Sequence, residues 1–127
     1  MKKIINTTNA PAPVGPYNQS VAHNGVLYMS GQIALDPATG ELVMGSIEEE
    51  THQVMKNIKA VLTEAGLTFE DVLKCSVFVS DMGNYGRINA VYAEYFDENT
   101  APARDLVEVA NLPKYVNIEI TVTAAMK

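Results

Sequence analysis

The sequence predicts an α+β fold, a mixed β-sheet with two helices on one face. Three observations predict it. Short runs rich in β-branched and aromatic residues recur along the chain, apolar alternating with polar. Two longer segments instead carry apolar residues at helical spacing. The elements follow the order β-β-β-α-β-α-β-β, and two helices can cover only one face of such a sheet. With 127 residues, residues 1–127 form one domain, because a chain this long buries roughly two-thirds of its unfolded surface.

Residues 2–6 begin the chain as a short strand. Asn9 to Pro16 follows, where three prolines and Gly15 impose an extended loop and exclude a helix. Tyr17 comes directly after it. A packed loop tyrosine is one reading; a rigid proline loop also aims such a side chain at a site. Gln19 to Ala22 and Val26 to Ile33 are the next strands, joined at His23-Asn24-Gly25, where Asn-Gly signals a tight hairpin. The second of them ends in Ser30-Gly31-Gln32. Glycine there marks a bulge or a place where another group approaches the backbone. Asp36 to Glu41 is a turn.

Ser46-Ile47-Glu48-Glu49 is a capping box. Ile47, Thr51, Val54, Met55, Ile58, Val61, Leu62 and Ala65 then form the stripe of an amphipathic helix that Gly66 stops. His52 lies off this stripe and reads as a solvated side chain. Asp71 to Val79 is a strand, with Leu73, Cys75, Val77 and Val79 on one face and Val72 and Phe78 on the other. Apolar residues on both faces predict that both are covered. Asp81 can cap a second helix, whose stripe is Tyr85, Ile88, Val91, Tyr92, Tyr95 and Phe96. Asn99 to Pro102 ends it. Two strands close the chain, Pro102 to Ala110 and Val116 to Ile120. With both helices on one face, the other sheet face would expose a broad apolar patch in a monomer, which predicts that further copies of the chain cover it.

Composition removes several classes of function. No apolar run approaches the roughly 20 residues of a membrane span. The two lysines after Met1 lead into no long apolar region, so no signal peptide is expected. The single cysteine, Cys75, allows no internal disulfide and suits a reducing cytosol. A net charge of −6 without a basic cluster argues against nucleic acid as the main partner. An anionic metabolite would need a local positive site. His and Cys residues show no metal-ligand spacing, and no phosphate-binding glycine loop occurs. Cys75, among Leu73, Val77 and Val79, reads as a small core residue.

The two closing strands hold the candidate site. Arg104 is a permanent cation whose planar fork matches a carboxylate. Glu119 stands inside an otherwise β-branched run, where a charge calls for a partner or a chemical role. Together they are expected to flank a pocket for a small carboxylic acid. A rim arginine and an edge-strand glutamate with structural roles are the alternative that residue chemistry leaves open.

Pro102-Ala103-Arg104, Val107, Ala110, Leu112-Pro113 and Ile118-Glu119-Ile120 resemble the C-terminal signature of the RidA/YjgF family of enamine/imine deaminases. The likeness runs the length of the chain, through Asn9-Ala10-Pro11, Gly15-Pro16-Tyr17, Ser30-Gly31-Gln32, Asp36 to Gly40, Ala65-Gly66, Val77-Phe78-Val79 and Asn89-Ala90-Val91-Tyr92. The resemblance implies a fold like that of bacterial chorismate mutases, assembled as a cytoplasmic homotrimer with sites in the clefts between subunits. It also implies a cofactor-independent activity, 2-iminobutanoate/2-iminopropanoate deaminase, hydrolysing reactive 2-imino acids or their enamine tautomers to 2-keto acids and ammonia. In that reading Arg104 clamps the substrate carboxylate, Glu119 activates water and Tyr17 lines the pocket. Ser30, Gly31 and Leu106 contribute further contacts, Gly31 and Leu106 through the backbone. Two positions depart from the family's pattern. Asp105 replaces a small residue and is expected on the strand face opposite Arg104, unless a bulge lets it compete for the arginine. Leu106 stands where many relatives have cysteine. A non-catalytic sensor of small 2-keto acids is the rival reading, and an RNA-cleaving translation inhibitor a third.

Overall fold

Helix α1, Ile47–Glu64, starts and stops on local chemistry. The Ser46 hydroxyl accepts from the Glu49 N–H at 3.1 Å. Glu48, Glu49 and Glu50 fill the first turn, where the helix dipole favours negative charge. At the other end Gly66 takes φ +78, which glycine adopts without the Cβ clash of other residues. Its N–H reaches Thr63 O at 3.0 Å, and the Leu67 N–H reaches Leu62 O at 2.8 Å. This is the paired pattern of a Schellman cap.

The structure is a computed structural model that describes residues 1–127. Strands β1 (Lys3–Ile5), β2 (Ser20–His23), β3 (Val26–Gln32), β4 (Val72–Val79), β5 (Ala103–Glu108) and β6 (Ile118–Ala125) form one sheet in the order β1-β2-β3-β6-β4-β5. Only the β4–β5 pair is parallel, joined through helix α2, Tyr85–Tyr92. The predicted α+β architecture and element order are therefore observed. The last strand is longer than expected, running to Ala125 rather than ending at Ile120.

Alternation sorts the two sheet faces. One carries Leu27, Met29, Cys75, Val77, Val79, Ile118, Ile120, Val122 and Ala124, all buried. They meet Val54, Met55, Ile58, Val61 and Leu62 of α1 and Ile88 of α2 in a single core. The opposite face presents cross-strand rows. Ile4, Val21, Tyr28, Thr123 and Lys74 form one, and Glu119, Phe78 and Val107 another. None of these residues is buried; Tyr28 is 54% and Val107 46% exposed.

The structure corrects three local expectations. Leu73 does not share the core face with Cys75. A register shift between Val72 and Lys74 places Val72 in the core and leaves Leu73 exposed, because a bulge inserts one residue and inverts the alternation. Helix α2 ends at Tyr92 rather than Phe96. Its last turn tightens, with Glu94 N–H to Val91 O and Tyr95 N–H to Tyr92 O. Tyr95 and Phe96 then pack on Phe69, at ring-centroid distances of 5.4 and 5.3 Å. His52 is not free in solvent: its Nδ1 lies 2.7 Å from the Tyr95 hydroxyl, so it ties α1 to the segment after α2.

Candidate active site

Arg104 is the second residue of the edge strand β5, paired with Cys75 of β4. Cys75 faces the helices, so Arg104 does too. Its side chain meets one stripe of α2. Tyr85, Asn89 and Tyr92 stand at i, i+4 and i+7, a spacing that stacks side chains on one helix face. Arg104 Nη1 donates to Asn89 Oδ1 at 2.9 Å, and Nη2 donates to the Tyr85 hydroxyl at 3.2 Å. The guanidinium carbon lies 4.8 Å from the Tyr92 ring centroid and 5.8 Å from that of Tyr85, within cation–π range. The cation is thus held on several sides, and it forms no ion pair within the chain. Beside it opens a cavity of about 710 Å³ lined by Asn89, Tyr92, Ala93, Phe96, Ala101 and Pro102, with Glu98 also on its wall.

Tyr92 forms the floor. It is buried, and its hydroxyl makes no well-formed hydrogen bond. Burial, followed by contact with the Cys75 thiol, a weak partner at best, pushes its ionisation well above the usual phenol range. Burial likewise pushes the Cys75 thiol up, so Cys75 behaves as the core residue expected of it.

Asp105 turns the other way. It pairs with Lys74 at 2.8 Å on the opposite face, as alternation requires, and leaves Arg104 without a competing carboxylate. Both partners are largely exposed, so the pair adds little stability. Leu106 faces the helices like Arg104 and packs partly on the core, opposite Val77.

Glu119 lies on the opposite sheet face from Arg104. It pairs with Phe78, three residues along β4 from the partner of Arg104, and an odd offset reverses the face. The two charges therefore do not meet within one chain. Glu119 sits over the bulge in β3, where the register shifts between Met29 and Gln32. A Cβ at Gly31 would fall 2.7 Å from Glu119 Oε2 and 2.8 Å from Cδ, so only glycine admits the carboxylate here. Burial raises the Glu119 pKa above its ordinary value, and no cation in the chain pairs with it.

Ser30 of β3 is bonded to the segment that follows Tyr17. The Ser30 hydroxyl donates to Asn18 O at 2.6 Å, and its N–H donates to Gln19 O at 2.9 Å. These bonds tie the segment after Tyr17 to the strand that carries Gly31. The Gln19 amide holds the proline loop in turn, donating to the carbonyls of Thr7, Ala10 and Pro11. Tyr17 itself is half exposed, its hydroxyl accepting from the Val14 N–H at 3.4 Å. Arg104 and Leu106 thus stand on the helix side of an edge strand, and Glu119, with Gly31 against its carboxylate, on the opposite sheet face.

Sequence reasoning misses the cradle of Arg104. Helical spacing puts Tyr85 in the apolar stripe of the second helix, yet it is 40% exposed and bonded to the arginine. A polar tip on Tyr85 and an amide on Asn89 four residues later are the available signal. Nothing in the local pattern names Arg104 as their target.

Comparison with known proteins adds a family model, two relatives and two solved structures. The family model described as Endoribonuclease L-PSP matches residues 7–126. A RutC family protein of Synechocystis is 54% identical over 125 residues, covering 98% of this chain and 96% of the relative. The mouse protein named 2-iminobutanoate/2-iminopropanoate deaminase is 42% identical, covering 98% of this chain and 91% of its own length. Among solved structures, the YjgF gene product of E. coli superposes with a TM-score of 0.91 at 42% identity, covering 98% of this chain and 99% of that one. E. coli TdcF with bound serine superposes at 0.92 and 39% identity, covering 98% and 99%.

Proposed function

The chain belongs to the RidA/YjgF family, and from that premise we propose that it hydrolyses 2-imino acids to 2-keto acids and ammonia. The observation that carries this reading is a pair of unpaired charges on opposite sheet faces: a rigidly cradled Arg104 and a half-buried Glu119. A reaction centre that uses both is incomplete in one chain. A second copy completes it when the Glu119 face of one chain meets the β5 edge of its neighbour. The exposed rows of Ile4, Val21 and Tyr28, and of Phe78 and Val107, supply apolar area for such assembly, and closed homo-oligomers, here a homotrimer, are the common outcome.

In the assembled cleft Arg104 holds the substrate carboxylate and so fixes the imine carbon. Glu119 takes a proton from water as its oxygen adds to that carbon. The resulting carbinolamine carries both OH and nitrogen on one carbon. Glu119, now protonated, returns a proton to the nitrogen. That transfer gives the neutral carbinolamine; the freed Glu119 carboxylate then takes the hydroxyl proton and passes it to the same nitrogen as the C–N bond breaks, so ammonia leaves and the C=O of the keto acid forms. A carboxylate with a raised pKa suits both proton transfers near neutral pH. Tyr17, Ser30, Gly31 and the Leu106 backbone line the space around the reacting carbon. The name of the mouse relative supports the reaction class, and the serine bound to TdcF supports a small amino-acid-like ligand.

The test couples the chain to a threonine dehydratase and follows 2-ketobutyrate release. Release faster than in buffer is expected, lost in Arg104→Ala and strongly reduced in Glu119→Ala. No acceleration by the unmodified chain, or full activity in Arg104→Ala, refutes the proposal. Binding of 2-ketobutyrate without turnover is the result that assigns the sensor role instead. Salt-sensitive RNA binding would revive RNA cleavage, against which a net charge of −6 argues.

A further inference from the structure

The cradle of Arg104 leaves the hydroxyl hydrogen of Tyr85 without an acceptor in the chain. A guanidinium offers donors only, so in its 3.2 Å contact with Arg104 Nη2 the Tyr85 oxygen accepts. A phenol also carries a hydrogen of its own, and no acceptor in the chain takes that of Tyr85. The residue opens α2 and is 40% exposed, so the hydroxyl is not there to satisfy a buried core. Tyr92, the other tyrosine against the guanidinium, also has an unpartnered hydroxyl, but it is buried and not open to a ligand. Its hydroxyl is buried beside the Cys75 thiol, and it gives Arg104 only its ring.

We propose that Tyr85 is a further carboxylate-binding residue of the site, its hydroxyl donating to the same carboxylate that Arg104 holds. The Tyr85 oxygen keeps accepting from Nη2 meanwhile. The bond from Nη2 draws electron density from the phenol and makes its hydrogen the better donor. The bonds to Asn89 and Tyr85 engage two N–H groups of Arg104, so the free guanidinium N–H groups and the phenol O–H form one donor array. Such an array selects an anion with two acceptor oxygens. A neutral amide would set its own N–H against one of the donors. The site is thereby restricted to free 2-imino and 2-keto carboxylates. This inference rests on the reading of Arg104 as the carboxylate clamp.

The experiment measures 2-ketobutyrate binding to the full chain by calorimetry, alongside KM and kcat in the coupled assay. Tyr85→Phe keeps the ring and the helix and removes only the hydroxyl. It is expected to raise Kd about tenfold, one charge-assisted bond at a partly exposed site, with the kinetic loss falling on KM rather than kcat. The amide of 2-ketobutyrate is expected to bind no better to the unmodified chain than to Tyr85→Phe. Unchanged 2-ketobutyrate affinity in Tyr85→Phe overturns the inference, as does tighter amide binding by the unmodified chain. Weaker binding in Tyr85→Phe by a chain that hydrolyses no imine upholds the role of Tyr85 and refutes the proposed reaction. Unchanged binding in Arg104→Ala removes the clamp, and this inference with it.

Discussion

Gly31→Ala isolates the geometry of the proposed base. The added Cβ would lie 2.7 Å from Glu119 Oε2, 2.8 Å from Cδ and 3.1 Å from Cγ, whereas ordinary contact begins at 3.4 Å. The carboxylate must retreat by at least 0.7 Å, the gap between 2.7 and 3.4 Å. Two further facts keep the effect local. The Gly31 backbone is not in the left-handed region, so alanine is conformationally allowed. The atoms it meets belong to a side chain that can swing, and residue 31 is exposed. The fold is therefore expected to lose no more than about 1 kcal/mol. A displacement approaching 1 Å at a positioned catalytic group costs on the order of 100-fold in rate, equivalent to about 2.7 kcal/mol. The assay is coupled 2-ketobutyrate release, with thermal unfolding measured on the same preparations. Gly31→Ala at full activity, with normal melting, would show that the position of the Glu119 carboxylate does not set the rate.

Two other predictions concern charge. Burial raises the Glu119 pKa, so activity is expected to fall on acidification through a pKa above the ordinary carboxylate value of 4.5, when the base becomes protonated. The same shift has a sign for stability. The folded state binds this proton more readily than the unfolded state, so the contribution of the group is fully present below pH 4.5 and is lost as pH rises through the folded pKa. Glu119→Gln is therefore expected to melt higher than the unmodified chain at about pH 7, with the advantage fading at about pH 4, while losing activity. An advantage that grows toward acid pH would contradict this. Glu50 is fully buried and accepts from Asn117 twice, from its backbone N–H and from Nδ2, each at 2.8 Å. Glu50→Gln sets one N–H against another and is expected to cost about 1–3 kcal/mol in urea unfolding at fixed protein concentration; an unchanged midpoint would show that the pairing contributes nothing.

Features set within a few residues can be read directly. The Ser46 cap, the Gly66 stop, the Asn24-Gly25 turn and the stripe from Ile47 to Leu62 all depend on neighbours three or four positions away, and each is present. The outward side of Glu119 is legible too, since Ile118 and Ile120 flank it and both are buried. The face of Arg104 is not. It sits on an edge strand whose six residues are all exposed or only half buried, so no strong alternation marks the core side. The Leu73 bulge has no sequence signal either, and one inserted residue exchanges Val72 for Leu73 in the core. Tyr95 and Phe96 continue a helical stripe on paper, but Phe69, distant in sequence, draws them out of it.

By itself, then, the amino-acid sequence determined which elements form, which of their residues are apolar and which charged side chains have no local reason to exist. Arg104 and Glu119 were visible as such a pair. Only the tertiary structure decided how they stand to one another. Cys75 and Phe78 are three steps apart on β4, so strand pairing through them sends Arg104 toward the helices and Glu119 to the uncovered face. Strand register is a long-range choice, fixed by burying Val122 beside Cys75 and Ile120 beside Val77 across the sheet. That choice also places Arg104 against Tyr85 and Asn89, and it divides the two charges between opposite faces of the sheet.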